Sequence, residues 1–277
     1  MPTPETIYEV ANRVATITLN RPEKLNAWTA TIDSEVRSHM AEAERDDQVR
    51  VIVLTGAGRG FCAGADMSLL TSVASQGIQS DQDAAARLGG SSPQKPGIPP
   101  DFQKKYSYFL GIEKPILAAI NGHAVGLGLV IALYCDLRLA SDAARFSTTF
   151  AQRGLIAEYG MAWMLPRIVG LPNALDLLYS ARTVDSAEAL RLGLVNQVFP
   201  HDTFVERVKE YAGDLASRVS PRSLRVIKRQ VYGAMFQTLG ESFDLALTEM
   251  IASLKSEDFK EGVAHFLEKR APVFKGK

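Results

Sequence analysis

Residues 51–67 read VIVLTGAGRGFCAGADM, and this stretch decides the fold of the chain. The run Val51–Leu54 is continuously apolar, which is typical of a parallel strand covered on both faces. A glycine-rich turn follows at once, with Gly56, Gly58, Gly60 and Gly64. Glycine adopts left-handed or crowded backbone conformations, so N–H groups in this turn can point at a ligand. Asp66 is placed to cap a helix that begins near Met67.

A second stretch, residues 116–136, repeats this design with ILAAINGHAVGLGLVIALYCD. It predicts a strand, a loop containing Gly122 and Gly126, and an apolar helix that opens near Leu127 and Gly128. The two strand-to-helix turns would lie side by side. Each would offer an N–H group from a helix start, where free donors and the helix dipole favour negative charge. The pattern therefore predicts an oxyanion hole made of backbone alone.

These two stretches, preceded by LNRPEKLNAW, resemble the crotonase, or enoyl-CoA hydratase/isomerase, superfamily of acyl-CoA enzymes. Three later runs extend the resemblance over nearly the whole chain: ARFSTTFAQRGLIAEYGMAWMLPRIVG, ARTVDSAEALRLGLVNQVFP and FKEGVAHFLEKRAPVF. Together the motifs are specific for the superfamily but only weakly specific for the reaction. The resemblance implies an α/β fold with a crotonase-like ββα spiral core at residues 1–200 and a C-terminal helical trimerisation region at 201–277.

The composition is that of an ordinary globular protein. The 277 residues suffice for a sizeable core. Lys plus Arg and Asp plus Glu both number 31, so no basic field favours nucleic acid or a membrane surface. No apolar run reaches the roughly 18 residues of a membrane helix, and we expect a cytoplasmic protein. Cys62 and Cys135 lie inside apolar segments and predict packed thiols, with a reactive thiol as the alternative.

The order of elements favours a parallel or mostly parallel sheet. A hairpin is predicted from Ile7–Val10 and Val14–Leu19, then a helix over Thr29–Asp46. Strands follow at Val51–Leu54 and Ile116–Ile120, with later ones at 137–140, 145–147 and 195–199. The C-terminal half predicts mostly amphipathic helices at 173–180, 187–192, 203–219, 221–239, 240–255 and 257–269.

The segment at about 68–110 stands out by its composition. Residues 75–100 are rich in Gly, Ser, Gln, Asp and Pro, and the link is longer than is usual in the family. We interpret the segment as a mobile cover over the acyl pocket, with an inert surface insertion as the alternative.

Other glycine-loop and metal motifs do not fit the sequence. GAGRGFCAG lacks the Lys and Ser/Thr of a P-loop, and neither loop matches G-x-G-x-x-G. The histidines are scattered singly, without HExxH or paired-cysteine spacing, so no metal site is predicted. No G-x-S-x-G elbow is present. We therefore expect no cofactor beyond the CoA that the substrate carries.

The resemblance implies a role for individual residues. The oxyanion N–H groups would be those of Ala65 and Leu127, the alternative being two ordinary tight turns. The CoA path would be lined by Leu25, Ala27, Ala63, Gly64, Asp66 and Met67. Lys24, Arg145 and Lys269 are candidates for the CoA phosphates, although each is equally consistent with a solvated charge. Phe266 and Lys269 would reach the CoA site of a neighbouring subunit in a homotrimer or dimer of trimers.

The departures from the family pattern bear on the reaction. In two-carboxylate hydratases of this family, glutamates occupy the positions of Val130 and Phe150, which are apolar here. Addition of water normally uses paired acid and base groups. The remaining motif carboxylate is Glu158, at the position used by single-base members of the family. The alternative is a first-turn glutamate of a helix beginning near Tyr159.

The apolar neighbours Ile156 and Ala157 favour a partly desolvated Glu158 carboxylate, whose pKa would rise. The sequence thus favours a single-base enoyl-CoA isomerase that acts on an acyl-CoA thioester. An enoyl-CoA hydratase and a non-catalytic acyl-CoA-binding relative are the alternatives.

Overall fold

The computed structural model describes residues 4–77, 80, 82, 88 and 96–277 of the chain. The central part of the predicted cover, namely residues 78, 79, 81, 83–87 and 89–95, lies outside the described residues. The C-terminal end of that segment belongs to the hydrophobic core, because Phe102, Tyr106, Phe109 and Leu110 are buried. Residues 102–110 therefore form a wall of the protein interior.

Six strands form the main sheet in the order β1-β2-β3-β5-β7-β10. They are β1 Thr6–Ala11, β2 Val14–Leu19, β3 Val51–Gly56, β5 Ile116–Ile120, β7 Leu137–Ser141 and β10 Gln197–Phe199. The hairpin pair β1 and β2 is antiparallel, and the other neighbours are parallel. The predicted mostly parallel sheet is confirmed. All five residues of β5 are buried, as expected for a strand covered on both faces.

A second, four-stranded sheet has the order β4-β6-β8-β9. Its strands are β4 Gly60–Cys62, β6 His123–Val125, β8 Arg145–Ser147 and β9 Val184–Asp185. Each of β3, β5 and β7 thus leads into a short strand of the second sheet, and a helix follows. This is the repeated ββα unit of the expected spiral core. The sequence predicts β8 at 145–147 correctly but places GFC and HAV in loops, so the second sheet itself was not predicted.

Helices cover the sheets and fill the C-terminal part. The first five are α1 Ala30–Arg45, α2 Met67–Gln76, α3 Leu127–Tyr134, α4 Met161–Val169 and α5 Leu171–Ser180. The others are α6 Ser186–Arg191, α7 Phe204–Arg218, α8 Pro221–Ala234, α9 Leu239–Leu254 and α10 Glu257–Glu268. All eight residues of α3 are buried, which fits a helix that is apolar all round.

The helices at 201–277 are tied to the core by a buried ion pair. The Lys228 ammonium on α8 lies 2.8 Å from an oxygen of Asp136, and the Tyr232 hydroxyl donates to the other oxygen at 2.9 Å. Lys228 also donates to the backbone carbonyls of Phe109 and Lys114. Because a buried charge needs a partner, these contacts fix α8 against the core.

The outer side of α8, α9 and α10 carries many exposed apolar side chains. They include Val231, Met235, Leu239, Phe243, Leu247, Met250, Ile251, Leu254, Val263, Phe266 and Leu267, with exposed fractions from 40% at Met235 to 88% at Leu239. We call this set the C-terminal apolar face. An exposed apolar patch of this kind marks an interaction surface. None of the described helices is both long and apolar enough to cross a membrane.

Candidate active site

A cavity of about 460 Å³ lies where the glycine-rich turns of β4 and β6 meet the starts of α2 and α3. Its lining comprises Lys24, Ala27, Ala63, Gly64, Ala65, Asp66, Met67, Ser68, Gly126, Leu127, Thr149, Phe150, Arg153, Leu155 and Glu158. We call it the thioester cavity. It brings Ala65, Leu127 and Glu158 together from three separate parts of the chain.

The backbone around Ala65 leaves its N–H group outside the local pairing. Ala65 forms an isolated parallel bridge with Trp28. The Trp28 N–H donates to the Gly64 carbonyl at 2.7 Å, and the Asp66 N–H donates to the Trp28 carbonyl at 2.9 Å. Neither hydrogen bond uses the Ala65 N–H, which is therefore free to donate to a ligand in the cavity.

Leu127 supplies the second donor because it is the first residue of α3. The N–H groups of a first helical turn have no carbonyl partner within the helix, and they lie at its positive end. Gly126 before it has φ +52°, and a Cβ added there would lie 3.2 Å from the Thr149 hydroxyl. The two turns are in close contact, since a Cβ at Gly64 would lie 3.9 Å from the Leu127 nitrogen. Such paired donors fit a developing oxyanion.

Glu158 lies outside any helix, in the connection that precedes α4. Helix α4 begins at Met161 after Gly160 and has no acidic residue in its first turn. The alternative role of Glu158 as a first-turn glutamate is therefore wrong. The residue is half-buried, and this burial raises the pKa of its carboxyl above the usual value.

The cause of that burial differs from the one expected. Ile156 is 74% exposed and faces solvent, so it does not desolvate Glu158, whereas Ala157 packs against the core. Leu155 and Phe150 line the cavity beside Glu158. The cavity wall thus accounts for the desolvation in place of the neighbour Ile156.

The turn that follows Glu158 has an unusual backbone. Tyr159 has φ +48° and Gly160 has φ +77°, both in the left-handed region. The Tyr134 hydroxyl, at the end of α3, donates to the Tyr159 carbonyl at 2.7 Å. A Cβ at Gly160 would lie only 2.3 Å from the Tyr134 oxygen, so this close approach requires glycine. The helix that begins with Leu127 therefore also holds the turn that carries Glu158.

Two carboxylates line the cavity among the described residues, and their environments differ. Asp66 accepts hydrogen bonds from Ser68 at 2.7 Å and from Arg21 at 2.9 Å. These contacts lower the pKa of Asp66 to about 2, which makes it a weak base. Glu158, with its raised pKa, is the better base of the two.

The two positions that carry glutamate in two-carboxylate hydratases have no polar function here. Val130 is 1% exposed within α3 and is not part of the cavity lining. Phe150 is 5% exposed, and its side chain forms part of the wall. Neither Val130 nor Phe150 therefore supplies a second ionisable group opposite Glu158.

The residues predicted for the CoA path are brought together only in part. Lys24, Ala27, Ala63, Gly64, Asp66 and Met67 line the cavity. Leu25 does not, although its carbonyl accepts the Ala63 N–H at 3.0 Å and so supports the loop. Arg145, Phe266 and Lys269 also lie outside the lining of the same chain. Across the described ranges there is no cluster of three His, Cys, Asp or Glu side chains able to hold a metal ion.

Asn26 was not singled out from the sequence, yet it organises this loop. Its fully buried amide donates to the Ala57 and Gly60 carbonyls at 2.9 and 2.7 Å. Its side-chain oxygen accepts the Arg21 N–H at 2.9 Å. The sequence signal that could have identified Asn26 is an asparagine in a turn that contains proline. Asparagine tolerates the left-handed backbone conformation that Asn26 adopts here, with φ +57°.

The sequence and the fold were compared with known proteins. The profile of the enoyl-CoA hydratase/isomerase family matches residues 9–277. The chain is 32% identical over 279 residues to the 1,2-epoxyphenylacetyl-CoA isomerase of Escherichia coli, covering 98% of each chain. It is 33% identical over 270 residues to a probable enoyl-CoA hydratase of Rhodobacter capsulatus, covering 98% of this chain and 97% of the relative.

Solved structures show the same fold. A putative enoyl-CoA hydratase from Streptomyces coelicolor has a TM-score of 0.86 at 31% identity, covering 100% of this chain and 97% of that one. An enoyl-CoA hydratase from Bacillus anthracis has a TM-score of 0.85 at 28% identity, covering 99% and 100%. The names of these proteins include an isomerase and several hydratases, so the similarity alone identifies no single reaction.

Proposed function

Because the chain belongs to the enoyl-CoA hydratase/isomerase family, whose members act on acyl-CoA thioesters, we propose that it is a single-base enoyl-CoA isomerase. The reaction is the shift of a double bond from the 3 to the 2 position of the acyl chain. The observation that carries this proposal is that Glu158 lines the thioester cavity with Ala65 and Leu127, while the positions of Val130 and Phe150 hold no second carboxylate.

The mechanism starts at the thioester carbonyl. Its oxygen accepts hydrogen bonds from the N–H groups of Ala65 and Leu127, which stabilise the negative charge of an enolate. Glu158 removes a proton from C2 of a 3-enoyl thioester, and the electron pair delocalises over C2, C4 and the carbonyl oxygen. The protonated Glu158 then returns the proton to C4. The product is the conjugated 2-enoyl thioester, and Glu158 is again ionised.

The backbone donors carry a large share of the expected rate enhancement. Loss of one such donor typically costs about 3 to 4 kcal/mol in activation free energy. The raised pKa of Glu158 serves both halves of the reaction, since a base is efficient when its pKa approaches the working pH. The name of the Escherichia coli relative, an isomerase of a CoA thioester, supports an isomerase here as well.

An enoyl-CoA hydratase is the alternative activity. It is favoured by the names of several relatives, including the Rhodobacter capsulatus protein. It would require Glu158 to position and activate water without a glutamate at the positions of Val130 or Phe150. A non-catalytic acyl-CoA-binding protein is the second alternative, because the backbone donors bind a carbonyl whether or not turnover follows.

The deciding experiment compares two substrates. With a 3-enoyl-CoA, the wild type should develop the absorbance of a conjugated thioester, and with a 2-enoyl-CoA it should form 3-hydroxyacyl-CoA slowly or not at all. Glu158→Gln should lower the isomerisation rate roughly 100-fold to 10,000-fold while CoA affinity stays unchanged. Glu210→Gln, an exposed change on α7, is the matched control. Rapid hydration that Glu158→Gln leaves intact would contradict the assignment.

The functional unit in this proposal is a homotrimer or a dimer of trimers. The C-terminal apolar face supports assembly, because a monomer would leave it in contact with water. Phe266 is 77% exposed and Lys269 follows the end of α10, so both are accessible to a neighbouring subunit. A cytoplasmic location stays a prediction.

A further inference from the structure

A second cavity, of about 450 Å³, lies beside the thioester cavity. Its wall is dominated by aromatic and apolar side chains, namely Phe102, Leu110, Tyr134, Tyr159, Trp163 and Phe236. Its charged members are Asp101 and Lys104, which are exposed, and Lys105, which is half-buried with its ammonium 5.8 Å from the centre of the Tyr159 ring. We call it the aromatic cavity. Its lining is chemically unlike that of the thioester cavity, where backbone N–H groups and two carboxylates are available.

The two cavities meet at consecutive residues of one turn. Glu158 lines the thioester cavity, whereas Tyr159 and Gly160 line the aromatic cavity. The ring of Tyr106 contacts residues next to both cavities. It packs edge-to-face on Tyr159 at 4.9 Å and on Trp28, the bridge partner of Ala65, at 6.0 Å. An acyl group whose carbonyl is bound at Ala65 and Leu127 therefore has the aromatic cavity as its neighbour.

We propose that the aromatic cavity binds the distal end of the acyl group and prefers an acyl group that ends in a flat aromatic ring over a straight alkyl chain. This inference rests on the acyl-CoA binding of the proposed function. It adds a substrate class, arylacyl-CoA thioesters, to that site.

The size of the cavity permits such a group. An engineered apolar cavity of roughly 150 Å³ binds benzene, so about 450 Å³ holds a ring together with the carbons that join it to the thioester. A cavity this wide confines a flexible alkyl chain poorly. A rigid ring loses less conformational freedom when it is bound, which favours the aryl group.

The walls provide the interaction that distinguishes a ring from a chain. Trp163 stacks on Phe236 at 5.4 Å with an interplanar angle of 12°, and Phe236 contacts Phe102 edge-to-face at 5.8 Å. The Arg167 guanidinium lies 4.0 Å from the centre of the Trp163 ring. The rings are thus held in place before a ligand enters. Each offset or edge-to-face contact with a bound ring strengthens binding by roughly two- to tenfold beyond burial alone.

The test measures binding of two thioesters with the same number of acyl carbons, phenylacetyl-CoA and octanoyl-CoA. Neither contains the double bond of an enoyl-CoA, so calorimetry of the full-length protein reports affinity without turnover. We expect phenylacetyl-CoA to bind at least about fivefold more tightly than octanoyl-CoA, with acetyl-CoA weaker than both. Equal affinities, or tighter binding of octanoyl-CoA, would overturn the proposal.

Variants test whether the aromatic cavity causes the preference for an aryl group over an alkyl chain. Trp163→Leu should bring the ratio of the two affinities to about one while acetyl-CoA affinity stays unchanged. Tyr179→Leu, whose ring is 77% exposed on α5, should keep the wild-type ratio. Should Trp163→Leu fail to fold, Phe236→Leu, at a 55% exposed position, serves in its place with the same expectation. A wild-type ratio in both variants would place the ring elsewhere and refute the proposal.

Failure of the proposed reaction would look different. If the protein binds phenylacetyl-CoA selectively but isomerises no 3-enoyl-CoA, the substrate class stands and the isomerase assignment fails. If it isomerises a 3-enoyl-CoA but shows no aryl preference, the isomerase stands and the aromatic cavity has no selective role.

Discussion

The hydroxyl of Tyr134 donates a 2.7 Å hydrogen bond to the backbone carbonyl of Tyr159, the residue that follows Glu158. Tyr134 ends helix α3, and Leu127 begins it. One short buried helix therefore begins with Leu127, the proposed oxyanion donor, and ends with Tyr134, which holds the turn of Glu158, the proposed base. The separation of the two groups is set by eight residues of regular helix, a length of roughly 12 Å.

Tyr134→Phe removes only the hydroxyl of this contact. We expect kcat for isomerisation to fall about tenfold, because Glu158 loses its fixed position, while KM changes little. The unfolding free energy should fall by about 1 kcal/mol, the usual worth of one hydrogen bond. The checks are steady-state kinetics, urea unfolding and the pH profile of kcat/KM. Tyr179→Phe, at an exposed position, is the control, and an unchanged kcat in Tyr134→Phe would show that the turn needs no such support.

The pH dependence of activity follows from the raised pKa of Glu158. A general base must be ionised, so kcat/KM should rise with pH through an apparent pKa above 4.5, the ordinary value for glutamate. The folded-state pKa exceeds the unfolded one, so burial of the charged form lowers stability above the folded-state pKa and has no effect below the unfolded one. Glu158→Gln should therefore raise Tm at pH 7 and leave it unchanged at pH about 3. A Tm decrease at pH 7 would show that the carboxylate has a stabilising partner.

Gly64→Ala tests the geometry of the backbone donors. Gly64 has φ +105°, and an added Cβ would lie 3.1 Å from the Val125 carbonyl oxygen, so the two turns must move apart. We expect kcat/KM to fall more than tenfold, because displaced N–H groups no longer meet the developing oxyanion. Gly170→Ala has similar backbone strain at φ +78° but no atom within 4 Å, and should affect stability without this loss. An equal effect of both changes on kcat/KM would remove the special role of Gly64.

Assembly through the C-terminal apolar face can be tested by placing a charge in it. Phe243 is 67% exposed on α9, and Phe243→Asp should convert a trimer or hexamer into monomers at micromolar concentration. Val205→Asp, on α7, should leave the assembly intact. Small-angle scattering gives the particle mass. A wild type that is already monomeric would exclude the trimer and, with it, a role for Phe266 and Lys269 in a neighbour's site.

The main sheet was predictable because its strands carry recognisable apolar patterns, continuous in Ile116–Ile120 and alternating in Val14–Leu19. Ile116–Ile120 and Val14–Leu19 were predicted with the bounds that the structure shows. In the second sheet only β8 was predicted, at 145–147; β4, β6 and β9 span two or three residues, too few for a hydrophobic period to be recognised. β4 pairs with β6, some 60 residues later, and a single sequence carries no local signal of such pairing.

The accuracy of the predicted helix bounds depended on whether the capping residue was recognised in the sequence. The helix predicted for 221–239 ends at Ala234, and Thr238 and Glu241 form a capping box that starts α9. This signal is visible in the sequence, and the predicted helix at 240–255 starts one residue late. A helix was expected to begin near Tyr159, whereas α4 begins at Met161, and its Pro166 is an unusual residue for a helix interior.

In the candidate site, too, local motifs were predictable from the sequence, whereas contacts between distant residues were not. The prediction of Ala65 and Leu127 as backbone donors rests on two local motifs that each lead into a helix. The contacts of Tyr134 with the 158–160 turn, and of Asn26 with the glycine loop, join residues that lie 25 or more positions apart. They depend on packing between elements, which no single motif encodes.

The complete burial of α3 also has a consequence for how the protein unfolds. Local opening of a protein begins in segments with few buried contacts, and amide hydrogens in such segments exchange first. Because α3 lies in the main core cluster, its amides should exchange only when the whole domain unfolds. Leu127, the proposed oxyanion donor, and Tyr134, which holds the turn of Glu158, thus belong to a persistent cooperative unit of the described residues. Both groups should therefore stay in place while other segments open locally, and should be displaced only when the domain unfolds globally.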